Sequence, residues 1–238
     1  MRRLERPPNV PGLHSGGALM RISRRDIVAG AIAAPALAKA TRAHAQSMTP
    51  KGLLPTGQET LGPFYPVRIP PMSDQDITHY PGKSGRALGQ IIELTGRVMD
   101  VKGRPLPEAH LTIWQANAAG RYRNAVDDNP APLDPNFLGV TSFTVDAQGR
   151  YRLRTVKPGA YPEPSGTIRT PHIHFDVTNA DYRLVAQMYF PGEALNEHDL
   201  LLSTLASRHR KPEDAICKQT PASEPNVLGF EWNIVLLT

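Results

Sequence analysis

The stretch RTPHIHFDV, residues 169–177, places two histidines, His172 and His174, one residue apart. Successive side chains of a β-strand point to opposite faces, so the two imidazoles are predicted to share one face, with Ile173 and Phe175 on the other. Two imidazole nitrogens on one face are a potential pair of metal ligands. Such a pair on a strand is more often ordinary surface or core chemistry, so a metal site requires further donors.

Two long polar segments supply candidate donors. Residues 118–139 and 157–170 show no strand pattern, and each contains one tyrosine, Tyr122 and Tyr161 respectively. Structureless loops of this length are uncommon in a compact domain unless they serve a function. The second segment runs directly into the histidine strand. We therefore predict that loops carry the two phenols to the two imidazoles.

Two imidazoles and two phenols suit one kind of ion. A free phenol has a pKa near 10 and is a poor ligand at neutral pH while it keeps its proton. A hard, highly charged cation can displace that proton and hold the phenolate. Zinc prefers Cys, His and carboxylate ligands, so non-haem Fe(III) is the cofactor that this donor set favours.

The elements that must position these residues are short strands. The chain has 24 prolines and 19 glycines, which favours strands and turns over helices. Residues 91–100 and 109–117 are predicted to form a hairpin-like pair, and a short helix is predicted at about 197–208. Further strands are predicted within 139–156, 171–179, 183–192 and 226–238. We therefore predict an all-β fold, an antiparallel β-sandwich with long active-site loops and a short helix near the C-terminus.

The first 45 residues resemble an export signal rather than a folded segment. Arg24 and Arg25 precede an alanine-rich apolar stretch that ends at Ala43-His44-Ala45, which is the order of a Tat-type signal. Met20 is a second candidate start, and a disordered basic tail is the alternative interpretation. We therefore predict a signal over 1–45, a periplasmic or extracellular location, an irregular proline-rich arm over 46–89 and one catalytic domain over 90–238.

The charge of the chain is concentrated in that leader. Residues 1–45 contain eight of the 27 Lys and Arg residues and two of the 22 Asp and Glu residues, which leaves 19 basic and 20 acidic residues. A nearly neutral remainder gives no reason to expect a nucleic-acid partner. The apolar stretch is too short for a stable membrane span, and a lone Cys217 permits no internal disulfide.

Four longer motifs carry a resemblance to a known family. LTIWQANAAGRYRN, APLDPNFLGV, YRLRTVKPGAYP and RTPHIHFDV occur in this order. The chain resembles the intradiol ring-cleavage dioxygenase family in them, most of all its protocatechuate 3,4-dioxygenase β-subunit branch. The resemblance implies a prealbumin-like sandwich in which four residues bind non-haem Fe(III), namely Tyr122, Tyr161, His172 and His174.

The resemblance also implies a reaction. A catechol-type substrate and O₂ would give a cis,cis-muconate-type diacid by cleavage between the two hydroxyl-bearing carbons. Tyr161 would leave the iron when substrate binds and accept one of its protons. Arg169 corresponds to the active-site arginine, which would stabilise negative charge on the substrate, and Gln187 corresponds to a glutamine just outside the iron ligands.

Two departures from the family pattern concern the substrate side: Glu163 stands where the branch has tryptophan, and the segment between Tyr161 and His172 is slightly short. Asn124 stands where a histidine is often found, and we expect this change to leave the metal site unaffected. Protocatechuate, catechol, hydroxyquinol and alkyl or lignin-derived catechols all stay open as substrates. The resemblance also leaves open a homo-oligomer or an assembly with an α-type partner subunit.

Two other classes of protein, a binding module and a serine hydrolase, are alternatives to the enzyme. The segments GRVMDVKGRPLPEAHLTI and DAQGRYRLRTVKPGAY also resemble prealbumin-like binding modules, which bind carbohydrate or protein and contain no iron. Such a module has no use for two tyrosines and a histidine pair. A serine hydrolase is not supported, because the chain after residue 45 contains no Gly-x-Ser-x-Gly motif.

Overall fold

A computed structural model describes residues 52–69, 75–163, 166–207 and 211–237. The predicted export signal, residues 1–45, lies outside them. The described part of the chain contains eleven strands and one α-helix. They are β1 (Ile91–Asp100), β2 (His110–Trp114), β3 (Val140–Thr144), β4 (Arg150–Val156), β5 (Tyr161–Pro162), β6 (Ile168–Arg169), β7 (His172–Thr178), β8 (Arg183–Tyr189), α1 (Leu200–Ser207), β9 (Lys218–Thr220), β10 (Leu228–Glu231) and β11 (Ile234–Leu236).

The longer strands form two sheets, as the all-β prediction requires. One sheet has the order β3-β2-β7-β8 and is antiparallel throughout. The other is built on β1, which pairs antiparallel with β4 but parallel with β10 and β11. This second sheet is therefore mixed, because the C-terminal strands return in the direction of β1 after a long connection. A two-stranded ribbon, β5-β6, stands apart from both sheets.

The core lies between the two sheets, and alternation decides which side chains enter it. Ile173, Phe175 and Val177 of β7 pack there with residues of β1, β4 and β10. On the opposite face of β7, His172 and His174 are also buried, because loops cover the outer face of this sheet. The predicted division of β7 into a histidine face and an apolar face is confirmed.

The predicted hairpin between 91–100 and 109–117 is wrong. β1 and β2 lie in different sheets, and the turn between them carries the chain across the sandwich. Asp100 stabilises this turn, since its Oδ1 accepts hydrogen bonds from the backbone of Lys102 and Arg104, each at 2.8 Å. The turn residues between β1 and β2 thus predict that the chain reverses its direction, but they do not specify which strands pair.

The predicted short helix is present and starts slightly later than expected. Residues Ala194–Glu197 form a 3₁₀ turn, and α1 begins at Leu200 after Asp199. Asp199 caps the helix, because its Oδ1 accepts hydrogen bonds from Leu201 N and Leu202 N at 3.0 Å. None of the helices in the described residues has the length and apolar character needed to cross a membrane.

The described parts of 46–89 follow the surface of the sandwich as turns and isolated bridges. Backbone hydrogen bonds join Thr56 N to Val235 O and Glu59 N to Val185 O, at 2.9 and 2.8 Å. These bonds fasten the segment to β11 and to the outer strand β8. The residues after Glu59 are thereby carried over the histidine face of β7.

Candidate active site

The two histidines of β7 have defined orientations. His172 Nδ1 lies 2.7 Å from the carbonyl oxygen of Thr170. A carbonyl can only accept, so Nδ1 carries the proton and Nε2 keeps its lone pair. The His174 ring stacks on Trp114, with centroids 4.6 Å apart and planes at 9°. Both Nε2 atoms point toward the same space and lie 3.1 Å apart.

The loop between β2 and β3 holds Tyr122 through its own polar residues. Asp127 Oδ2 accepts a hydrogen bond from Tyr122 N at 2.6 Å, and Asn129 Nδ2 donates to Gly120 O at 2.9 Å. Phe64 from the arm stacks on the Tyr122 ring, with centroids 4.6 Å apart. The predicted long polar segment is therefore an ordered support for the phenol.

The second tyrosine reaches the site on the β5-β6 ribbon, where Tyr161 pairs with Arg169, so the prediction that 157–170 contains no strand is wrong. The loops of the two tyrosines touch at Gly120, whose φ is +80° and whose position leaves no room for a side chain. A Cβ there would lie 2.1 Å from Ala160 O. Glycine is required both for this backbone conformation and for this close approach.

Four donor atoms converge on one buried point. Tyr161 Oη lies 3.4 Å from His172 Nε2, and His174 Nε2 lies 3.2 Å from Tyr122 Oη. With metal–ligand bonds of about 2.0 Å, neighbouring ligands of one ion lie roughly 2.8–3.3 Å apart. The observed separations come close to that range, so the donor set fits a single metal ion.

The chemistry of the donors indicates which ion fits. Burial lowers the pKa of His172 and of His174 well below its usual value, so both imidazoles are neutral ligands at pH 7. Burial raises the pKa of Tyr161 to about 12, and it also raises the pKa of Tyr122 well above its usual value. Only a strongly charged cation would ionise these phenols, and the described residues offer no cluster of three or more His, Cys, Asp and Glu as an alternative site.

Arg169 is buried beside this donor set and is held on three sides. Its Nε donates to Asp199 Oδ2 at 2.8 Å, and its Nη2 donates to Gln187 Oε1 at 2.7 Å. Its Nη1 lies 3.4 Å from Glu163 Oε1. Burial lowers the pKa of Arg169, but the nearby Tyr189, Tyr161 and Asp199 together raise it above its usual value, so the guanidinium is permanently charged.

Sequence reasoning missed several residues that build this site. Asp199 is fully buried, caps α1 and pairs with Arg169, thereby linking the helix to the site. Glu59 Oε2 accepts a hydrogen bond from Tyr189 Oη at 2.8 Å, and its Oε1 accepts one from Gln187 N at 3.1 Å. Burial raises the Glu59 pKa from its usual 4.5 to about 7. The one sequence signal for this residue is that Glu59 begins the otherwise uncharged stretch ETLGPFY, residues 59–65.

All six sequence-predicted site residues are thus in one place, the four donors together with Arg169 and Gln187. Glu163 and Asn124, two of the departures from the family pattern, lie at the border of this site. Glu163 is 27% exposed on its side chain and contacts Arg169, whereas Asn124 Nδ2 donates to Tyr65 O at 3.2 Å. Glu163 therefore faces the charged part of the site, and Asn124 fastens a loop.

Comparison with known proteins assigns this arrangement to a class. A family model described as "Dioxygenase" matches residues 61–238. The chain belongs to the intradiol ring-cleavage dioxygenases. It is 43% identical over 185 residues to the protocatechuate 3,4-dioxygenase beta chain of Burkholderia cepacia, covering 76% of this chain and 74% of that one. It is 30% identical to the alpha chain from Pseudomonas putida, covering 78% of this chain and 94% of that one.

Solved structures agree on the fold. The dioxygenase domain of a dioxygenase–carbohydrate-binding protein fusion from Streptomyces sp. SirexAA-E superimposes with a TM-score of 0.58 at 26% identity. The match covers 77% of this chain and 98% of that domain. The all-β fold class and the membership of an intradiol ring-cleavage enzyme family are both confirmed.

Proposed function

We propose that this protein is a non-haem Fe(III) intradiol dioxygenase. It cleaves a catechol-type ring between the two hydroxyl-bearing carbons with O₂ and yields a cis,cis-muconate-type diacid. Catechol and O₂ together contain every atom of that product, so the reaction requires no external reductant. The single observation that carries the proposal is the convergence of Tyr122, Tyr161, His172 and His174 donors on one buried point.

The four donors would hold the ferric ion, with the two phenols ionised. When bound, ferric iron supplies an acceptor for electron density from the catecholate, which makes the ring reactive toward O₂. Neutral His172 and His174 need lose no proton to bind it. The charge of two phenolates favours the ferric state over the ferrous state.

Tyr161 is the proton acceptor of the proposed mechanism. In the absence of a bound cation, burial raises the pKa of the Tyr161 phenol to about 12, so its phenolate would be a strong base. A phenolate of that basicity takes a proton from a catechol hydroxyl, so substrate binding needs no separate general base. Tyr122, more deeply buried and with its loop backbone bonded to Asp127, stays in place.

Arg169 stabilises negative charge that develops on the substrate. Asp199 and Gln187 hold its guanidinium in one orientation before the substrate arrives, so no reorganisation is required during the reaction. Phe64 and Trp114 exclude water from the donors by covering Tyr122 and His174. Exclusion of water strengthens each electrostatic interaction inside the site.

Iron loading and product analysis test the proposal. Purified protein folded with ferric salt should bind one iron per chain and absorb visible light through phenolate-to-iron charge transfer. Catechol added without O₂ should shift that band, and ¹⁸O₂ should place both labelled atoms in the diacid. A colourless protein without bound iron after this treatment would contradict the proposal and favour the iron-free binding module.

Two further proposals concern location and assembly. We infer export through the Tat route from Arg24 and Arg25, and a double substitution R24K/R25K should retain the protein in the cytoplasm.

Similarity to both the alpha and beta chains of protocatechuate 3,4-dioxygenase supports an assembly of more than one subunit. Light scattering of the purified chain should report a mass above 26.1 kDa.

A further inference from the structure

Among the residues that the structure describes, Glu163 is the carboxylate at the border of the candidate site that is both partly exposed and in contact with Arg169. It follows Tyr161 by two residues, and its backbone N donates to Thr167 O at 2.8 Å across the ribbon. Its Oε1 lies 3.4 Å from Arg169 Nη1, and its side chain is 27% exposed. The ribbon therefore presents a carboxylate beside the phenol of Tyr161.

The charge of Arg169 is already balanced without Glu163. Asp199, 0% exposed, forms a pair with its Nε at 2.8 Å, and Gln187 occupies its Nη2 at 2.7 Å. Arg169, Asp199 and Glu163 together carry one positive and two negative charges. The three side chains therefore have a net charge of −1, and Glu163 is the partly exposed member that presents it.

The other cations near the donor set do not offset this charge at the ribbon. Arg123 donates to the carbonyls of Phe137 and Asp134, and its guanidinium lies 5.0 Å from the Tyr80 ring centroid. Arg68 and Arg123 line a separate cavity of about 440 Å³ beside Tyr122, of which Glu163 is not part. The cation beside Tyr161 is Arg169, whose charge Asp199 already balances.

We propose that Glu163 makes this enzyme select catechols whose ring substituent is neutral or cationic over catechols that carry a carboxylate. This inference rests on the proposed function, because it takes the space beside Tyr161 as the place of the substrate ring. A carboxylate on that ring would meet the unbalanced charge of Glu163, whereas an ammonium group would be attracted to it. With an effective dielectric constant of about 20 and a separation of about 8 Å, such a contact changes affinity roughly 30-fold for each substituent charge.

A matched set of substrates tests the selection. Iron-loaded wild-type protein and the E163Q variant are assayed for kcat/KM with three catechols of similar size, 3,4-dihydroxybenzylamine, 4-methylcatechol and 3,4-dihydroxybenzoate. Dissociation constants for the same compounds are measured by anaerobic titration, so binding is read independently of turnover. The control is E231Q, which removes the same charge from β10 of the other sheet.

Wild-type protein should prefer the amine and the methylcatechol to the benzoate, in kcat/KM and in affinity. The E163Q variant should lower the amine-to-benzoate ratio by more than about tenfold, because the amine loses an attraction and the benzoate loses a repulsion, and E231Q should leave it unchanged. A wild-type preference for the benzoate, or a ratio that E163Q does not move, would overturn the inference while leaving the dioxygenase intact. Absence of turnover with all three compounds would instead contradict the proposed function, and the anaerobic affinities would still decide the role of Glu163.

Discussion

Arg169 Nε donates a hydrogen bond of 2.8 Å to Asp199 Oδ2, and the other oxygen of Asp199 caps helix α1. One carboxylate therefore fixes the orientation of a buried guanidinium and the start of the helix that follows the site. Neither group is solvated, since Arg169 is 3% exposed and Asp199 0% exposed on their side chains. Removal of the Arg169 charge leaves Asp199 buried without an ion-pair partner, and removal of the Asp199 charge leaves Arg169 only its longer contact with Glu163 at 3.4 Å.

The variant D199N separates these two tasks, because asparagine caps helices about as well as aspartate. We expect the free energy of unfolding to fall by about 3 kcal/mol, the usual result of breaking a buried ion pair. Turnover should fall as well, since Arg169 loses its fixed orientation. Chemical denaturation and steady-state kinetics measure the two effects. The matched control is D146N, an exposed turn aspartate whose loss should leave turnover near wild type; an equal fall in both variants would contradict the link through Arg169.

The contact between Gly120 and Ala160 predicts how the two tyrosine loops depend on each other. G120A places a methyl group 2.1 Å from Ala160 O and puts alanine at a φ of +80°. We expect the loops to separate, so that iron affinity and the visible absorption band are largely lost while the sandwich core stays folded. Iron analysis and circular dichroism distinguish these outcomes.

Gly192 offers the matched control for that substitution. Its φ is +76°, but a Cβ there would meet nothing within 4 Å. G192A therefore carries the backbone strain, about 1–2 kcal/mol, without the clash. Iron binding equally weak in G192A and G120A would show that strain alone, rather than the loop contact, explains the effect.

Replacement of Tyr122 by phenylalanine removes one oxygen donor and leaves the ring in place. We expect Y122F to bind iron weakly, to show an altered visible spectrum and to lose turnover more than tenfold, because even residues supporting metal ligands cost 10–100-fold when changed. Y151F is the control, since Tyr151 is a buried phenol on β4 that donates to Trp232 O at 2.6 Å. A wild-type spectrum for Y122F would remove Tyr122 from the proposed ligand set.

Glu59 makes the stability of the protein depend on pH. Its pKa is raised by burial from 4.5 to about 7, so the folded state binds a proton that the unfolded state releases between these values. This stabilisation is complete below pH 4.5 and is lost as pH rises through 7, a change of about 3 kcal/mol. E59Q has no such proton and should gain stability relative to wild type as pH rises from 5 to 8. Thermal unfolding of both proteins over that range measures the difference, and a constant difference would contradict a buried, protonatable Glu59.

Much of the candidate site was predictable because its residues can be recognised from their immediate sequence neighbours. The period-two pattern of β7 separates His172 and His174 from the apolar core face, and each unusually long polar loop contains one tyrosine. Donor type alone favoured a hard cation over zinc. These inferences use only neighbouring residues, which is why they needed no knowledge of the fold.

The sequence by itself determined the longer strands, their turns and the four donor side chains, since these depend on local alternation and residue type. Only the tertiary structure decided that β1 pairs with β4 rather than β2, and that Glu59 and Asp199 hold the groups around Arg169. These contacts join residues from about 30 to 130 positions apart. No local spacing encodes such contacts, because they arise where two sheets and an arm bury their surfaces together.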